Sequence, residues 1–121
     1  MPRQSSSYTL WSAQVLTGAA EINSNSIECG HYTEGVVYIR ATAKGGTSPT
    51  VDIDVESSHD NSNWHKHTDI TQISDPTVIY YQTVTTLSNL GRYIRLTVPA
   101  GGVGGSATPT ITVTAVVVLK D

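Results

Sequence analysis

The residues in this chain with the most obvious capacity for chemistry lie in SSHDNSNWHKHTD, Ser57 to Asp69, which holds three of the four histidines. On an extended strand, positions i and i+2 share a face. His65 and His67 could therefore offer two imidazoles to one divalent ion, with Asp69 next on that face and His59 or Asp60 closing the set across a turn. The same parity sends Trp64, Lys66, Thr68 and Ile70 to the other side. A half-buried strand gives its more apolar face to the core, and here Trp64 with Ile70 is that face. His65 and His67 are then expected to point to water, where a metal could visit but nothing requires one. Upstream, Ser58, Asp60, Asn61, Ser62 and Asn63 carry side chains that bond to nearby backbone and stabilise tight turns. The Ser58, Asp60, Trp64 spacing resembles the Asp-box turn of sialidase propellers, but it occurs once, is a residue short and lacks the glycine. The segment reads as the turn of a hairpin.

Other chemical candidates are weaker. Cys29 in IECGHY has His31 two positions on, but neighbours on one strand end rarely reach the geometry of a nucleophile and its base. A small buried thiol is the expectation. As the single cysteine, it also excludes an internal disulfide and a cysteine-based zinc site. Asp52, Asp54 and Glu56 form a carboxylate row by parity, which reads as a solvated sheet face. PAGGVGGSATP, Pro99 to Pro109, lacks the lysine and hydroxyl of a phosphate-binding loop and is expected to be a flexible hairpin tip or contact loop. No nucleophile-elbow, HExxH, Walker or dinucleotide-binding signature occurs. The chain is expected to be non-enzymatic and to need no cofactor.

The elements that must position these residues are strands. Only 14% of residues are charged and the chain is rich in Thr, Ser, Val and Gly, a composition that suits strands and turns. Period-two alternation recurs along it. Val37, Ile39, Ala41 and Ala43 alternate with Tyr38, Arg40, Thr42 and Lys44; Val51, Ile53 and Val55 alternate with the carboxylates. The GGTSP between these runs predicts a hairpin that pairs Arg40 with Asp54 and Tyr38 with Glu56. Further strands are read in YTLWSAQVL, SNSIECG, WHKHTDITQI, TVIYYQTVTTL, GRYIRLTVPA and TPTITVTAVVVLK. In the last, Ile111, Val113, Ala115, Val117 and Leu119 form an inward row, while Val116 and Val118 make the opposite face apolar as well. The expected fold is all-β: a two-layer antiparallel β-sandwich, jelly-roll-like, of about eight strands. Periodicity does not reveal the strand order. One domain over residues 8–121 is expected, after a flexible N-terminal arm of residues 1–7.

A net charge of −3 with seven Lys and Arg argues against nucleic acid. No apolar run is long enough for a membrane helix, and MPRQSSSYTLW lacks the apolar segment of a secretory signal. Six tyrosines with no phenylalanine direct attention to half-buried positions and interfaces. Tyr38 and Tyr93 fall on outward faces, and Ile79 to Tyr81 puts one tyrosine on each side of its strand. Glycan-binding platforms and subunit interfaces both use aromatics in this way.

In order, TEGVVYIRATAKGGTSPTVDIDVESSHDNSNWHKHTDITQI, LSNLGRYIRLTV and a Thr/Val-rich closing strand resemble a class of small bacteriophage virion proteins. Asn61 and Ser62 stand where those proteins usually carry Asp-Gly, and the likeness spans roughly residues 15 to 119. The resemblance implies a β-sandwich of the virion. Most of all it implies a capsid decoration (cement) protein, a homotrimer that clamps the major capsid (coat) protein at the outer surface of the head. It also leaves room for a tail, neck or baseplate component, and the tyrosines for a glycan-binding module. Tyr8, Trp11, Tyr38, Tyr93, Val116 and Val118 are the candidate interface residues.

Overall fold

The computed structural model describes residues 5–18, 20–74 and 81–121, with backbone alone over 81–84. Ten strands are found among these residues. They are β1 (Ser5–Leu16), β2 (Ile22–Asn23), β3 (Ile27–Glu28), β4 (Glu34–Val51), β5 (Asp54–Ser58), β6 (Trp64–Asp69), β7 (Ile73–Ser74), β8 (Tyr81–Ser88), β9 (Tyr93–Val98) and β10 (Val103–Lys120). They form two antiparallel sheets. One runs β1-β10-β4 with β7 and β8 both on the far side of β4; the other runs β9-β5-β6 with β2 and β3 both on β9. Counting β2 with β3 and β7 with β8 as one strand position each gives eight positions, ordered 1-8-3-6 and 2-7-4-5. That order is a jelly roll, so the expected fold class holds and its topology is now defined.

The inner faces follow the alternation read from the sequence. Ile111, Val113, Ala115, Val117 and Leu119 of β10 meet Val37, Ile39 and Ala41 of β4, and across the sandwich Val55, Ile94, Leu96 and Val98; none exceeds 2% exposure. Each large aliphatic side chain buried in this way contributes about 1.5–3 kcal/mol. Ala43 departs from the pattern and is exposed. Thr112 pairs with Ala43 and Val113 with Ala41, so Thr42 is a bulge that reverses the parity beyond it.

Three expectations about connections are corrected. GGTSP does not turn a hairpin: β4 continues through it to Val51, and β5 lies in the other sheet. The chain changes sheet at Asp52 and Ile53, with the Asp52 amide donating to the Gly102 carbonyl at 2.8 Å. Both sheets face one core, so a strand crossing between them keeps Val51, Ile53 and Val55 inward, and its pattern matches that of a hairpin arm. Second, PAGGVGGSATP is not a free tip. Val103, Gly104 and Ser106 pair with Val51, Thr50 and Thr47, so the two glycine-rich breaks are partners in one ladder. Their turn-forming residues appear as irregularities, with Gly46, Ser48, Gly105, Ala107 and Thr108 at positive φ. Third, β1 starts at Ser5, because Ser5, Ser6 and Ser7 pair with Lys120, Leu119 and Val118; residues 1–4 of the expected arm lie outside the described residues.

Gly46 shows how tight this crossing is. At φ +78° an added Cβ would sit 2.7 Å from the Ser106 carbonyl oxygen and 2.8 Å from Pro109 Cα. Gly46→Ala is expected to destabilise the domain by about 1–3 kcal/mol. In a denaturant titration its midpoint should fall at an unchanged slope.

Candidate interaction surfaces

The hairpin of β5 and β6 forms as expected, and its turn is built by two side chains. Ser58, 2% exposed, accepts from the amides of Asp60 and Asn61 at 3.2 and 2.9 Å and donates to Asp60 Oδ1 at 3.0 Å. Asp60 Oδ1 also accepts from the amides of Ser62 and Asn63 at 2.9 and 2.8 Å. These amide bonds, with the Asn63 side chain, hold the Asp60 carboxyl well below the usual carboxylate range. A folded pKa below the unfolded one means stability that is complete above pH ~4 and fades as pH falls through the folded value. Thermal unfolding followed from pH 6 to pH 2 should therefore show a steeper acid loss for the native protein than for Asp60→Asn.

The faces of β6 differ from the parity expectation. Ser58 pairs with Trp64, Glu56 with Lys66 and Val55 with Thr68, so His67 is an unpaired bulge residue. A bulge shifts parity by one, which puts Trp64 and Ile70 on opposite sides. Ile70 is core, 5% exposed, whereas Trp64 lies with Glu56 and Arg95 on the outer face. His67 reaches the other sheet instead of water: its Nε2 donates to the Ser88 carbonyl at 2.7 Å and its Nδ1 lies 2.6 Å from Thr68 Oγ1. His65 is exposed in the row of Ser57. Both ring nitrogens of His67 are thus engaged, so that imidazole offers no free nitrogen to an ion shared with His65. Among the described residues no group of three His, Cys, Asp or Glu side chains converges. Cys29 is 1% exposed and donates to the Gly91 carbonyl at 3.1 Å; burial first, and the Glu28 charge second, push its thiol up to about 11.

The outer face of the second sheet is an ordered set of side chains. Tyr93, Ser58 and Trp64 share a row across β9, β5 and β6. The Arg95 guanidinium lies over the Trp64 indole at 4.2 Å, and its Nε donates to Glu56 Oε1 at 2.9 Å. Arg92 lies over the Tyr93 ring at 5.4 Å and 4.0 Å from Glu28. Lys66 contacts Asp69 at 2.9 Å and Asp54 at 3.9 Å. Burial and the Asp69 carboxylate raise the Asp54 pKa, while the Lys66 contact lowers that of Asp69. Sequence parity found Tyr93 on this face but missed Trp64, because the bulge leaves no mark in residue type.

The outer face of the first sheet carries the other candidates. Val116 is opposite Tyr38, and Val118 opposite Val36, at the centre of the sheet. The three valines are half-buried and Tyr38 is 47% exposed. Tyr8 and Trp11 do not join them. They pair with Val117 and Ala115 and so face inward; Trp11 is 4% exposed, and Tyr8 packs on the core with its hydroxyl 3.4 Å from that of Tyr32. Bulges after Thr9 and after Trp11 set those directions. Trp11 is therefore a core residue, and its Nε1 has no hydrogen-bond partner among the described residues. Tyr80, one of the tyrosines of IYY, lies outside the described residues, as does the side chain of Tyr81.

The jelly-roll architecture defines the class of fold, and solved structures share it. SPBc2 prophage-derived protein YomS matches with a TM-score of 0.58 at 16% identity, over 98% of this chain and 96% of YomS. PBSX exported protein XepA matches with a TM-score of 0.61 at 14% identity, over 94% of this chain and 36% of XepA. Both are phage-derived. A CBM4 β-sandwich matches with a TM-score of 0.53 at 11% identity, over 97% of this chain and 71% of that one. No protein-family profile and no curated protein matches the chain. No helix among the described residues is long and apolar enough to cross a membrane.

Proposed function

We propose that this protein is a non-enzymatic bacteriophage virion component, a decoration protein that binds the outer surface of the assembled head and stabilises contacts between coat subunits. The observation that carries this reading is the apolar centre of the first sheet's outer face. Val36, Tyr38, Val116 and Val118 sit where a sandwich ordinarily carries polar side chains. A sheet already packed on one side has no structural need for them on the other, so they suit a protein contact. The near full-length fold match to YomS and the ordered resemblance to small virion proteins support a phage setting. Three copies around a coat symmetry axis, each using this face, give the assembly the resemblance implies.

Electron cryo-microscopy of particles made with and without the protein tests the reading. The expected result is density on the outer head surface that vanishes when the gene is deleted and returns when purified protein is added to bare heads. Missing density on the tail or neck would instead assign the protein there. Light scattering of the purified chain checks the trimer, which a monomer at high concentration would refute.

A further inference from the structure

We propose that the outer face of the second sheet binds a neutral pyranose chain, with Trp64 as the primary stacking platform and Tyr93 as the second. This inference stands apart from the capsid reading, since it rests on the opposite sheet. The platform is set before any ligand arrives. One face of the Trp64 indole is taken by the Arg95 guanidinium, and Arg95 is held by Glu56. The side chains of Arg95 and Glu56 are only 18% and 17% exposed, so the support beneath the ring is fixed within the sheet. An aromatic plane immobilised in this way loses little conformational entropy on binding. Trp64 itself retains intermediate exposure.

Tyr93 extends the platform along the same row, with the small Ser58 as the only residue between them in the ladder. Two strand spacings put the backbones of Trp64 and Tyr93 about 9–10 Å apart. That is a span for an extended ligand, not a single small ring. The charges decide its chemistry. Each cation on this face is matched by a carboxylate: Arg95 by Glu56, Lys66 by Asp69 and Arg92 by Glu28. Asp54 beside Lys66 adds a further carboxylate, so the face carries no excess of cations to draw a nucleic acid, a sulfated polymer or an acidic peptide. It offers ring faces for the C–H side of a sugar, and exposed donors and acceptors such as Lys66 and Asp69 for its hydroxyls.

The test uses the full chain and five neutral probes: cellohexaose, maltohexaose, xylohexaose, mannohexaose and hexa-N-acetylchitohexaose. Trp11 is buried, so a ligand on this face should change the emission of Trp64 alone, and Trp11→Phe should keep the response. The expected result is saturable binding of at least one hexasaccharide. Trp64→Ala should weaken it by about tenfold or more, Tyr93→Ala by less, and Trp64→Phe should largely restore it. Amide shifts in the native protein should concentrate on Trp64–Asp69 and Tyr93–Arg95, a readout that does not depend on any variant folding. Failure of all five probes to bind at millimolar concentration would overturn the proposal. So would amide shifts confined to other strands, binding unchanged in a folded Trp64→Ala, or binding only of a sulfated polymer that is lost in salt. None of these outcomes bears on the capsid role.

Discussion

Val117→Asp is expected to abolish folding, while Val116→Asp, one residue away on the same strand, leaves a folded domain that no longer assembles. Val117 is fully buried, between Tyr8 of β1 and Val37 of β4 in the ladder. An ionised carboxylate there has no partner, and an uncompensated buried charge costs at least several kcal/mol. A domain of this size has only about 5–15 kcal/mol to lose. Val116 points the other way, beside Tyr38 and Thr9, and is half-buried. A carboxylate at that position can reach water, so far-ultraviolet circular dichroism and the unfolding midpoint should stay close to native. What it should lose is self-association and retention on heads, by light scattering and co-sedimentation. An assembled, head-binding Val116→Asp protein would remove the outer face of the first sheet from the contact.

Arg95→Ala carries the second large effect. Its side chain makes one 2.9 Å hydrogen bond to Glu56 and one stack on Trp64, and both it and Glu56 are mostly buried. Truncation strands the Glu56 carboxylate in a half-buried site and uncovers one face of the indole. The expected loss is about 2–4 kcal/mol, or a fall in Tm of roughly 8–15 °C. Glu56→Ala should cost less, because Arg95 keeps its aromatic partner. The double variant should be less destabilised than the two losses summed, which a double-mutant cycle in urea reads directly. Strict additivity would mean that the pair does not act as a unit.

The strands and inward rows were legible because burial selects side chains at period two. Ile111 to Leu119 and Val51 to Val55 could be assigned to the core without any partner in view. The turn at Ser58 to Asn63 was legible for a local reason, since Ser58 and Asp60 satisfy backbone amides within five residues. Partner choice was not legible. The Asp54 and Glu56 expected beside Arg40 and Tyr38 lie in a different sheet, where Glu56 meets Arg95 from thirty-nine residues away. Nor was the direction of Trp11 or Trp64, because each follows a bulge count that residue types do not encode.

The sequence by itself thus determined an all-β sandwich, which residues line its core, and the polar turn at Ser58 to Asn63. Those properties depend on alternation and on bonds between near neighbours, both written locally. Only the tertiary structure decided the jelly-roll order, the sheet change at Asp52 and Ile53, and the outward turn of Trp64 onto Arg95. Pairing between distant strands is set by the fit of whole faces, and a single bulge residue such as His67 reverses every side chain beyond it.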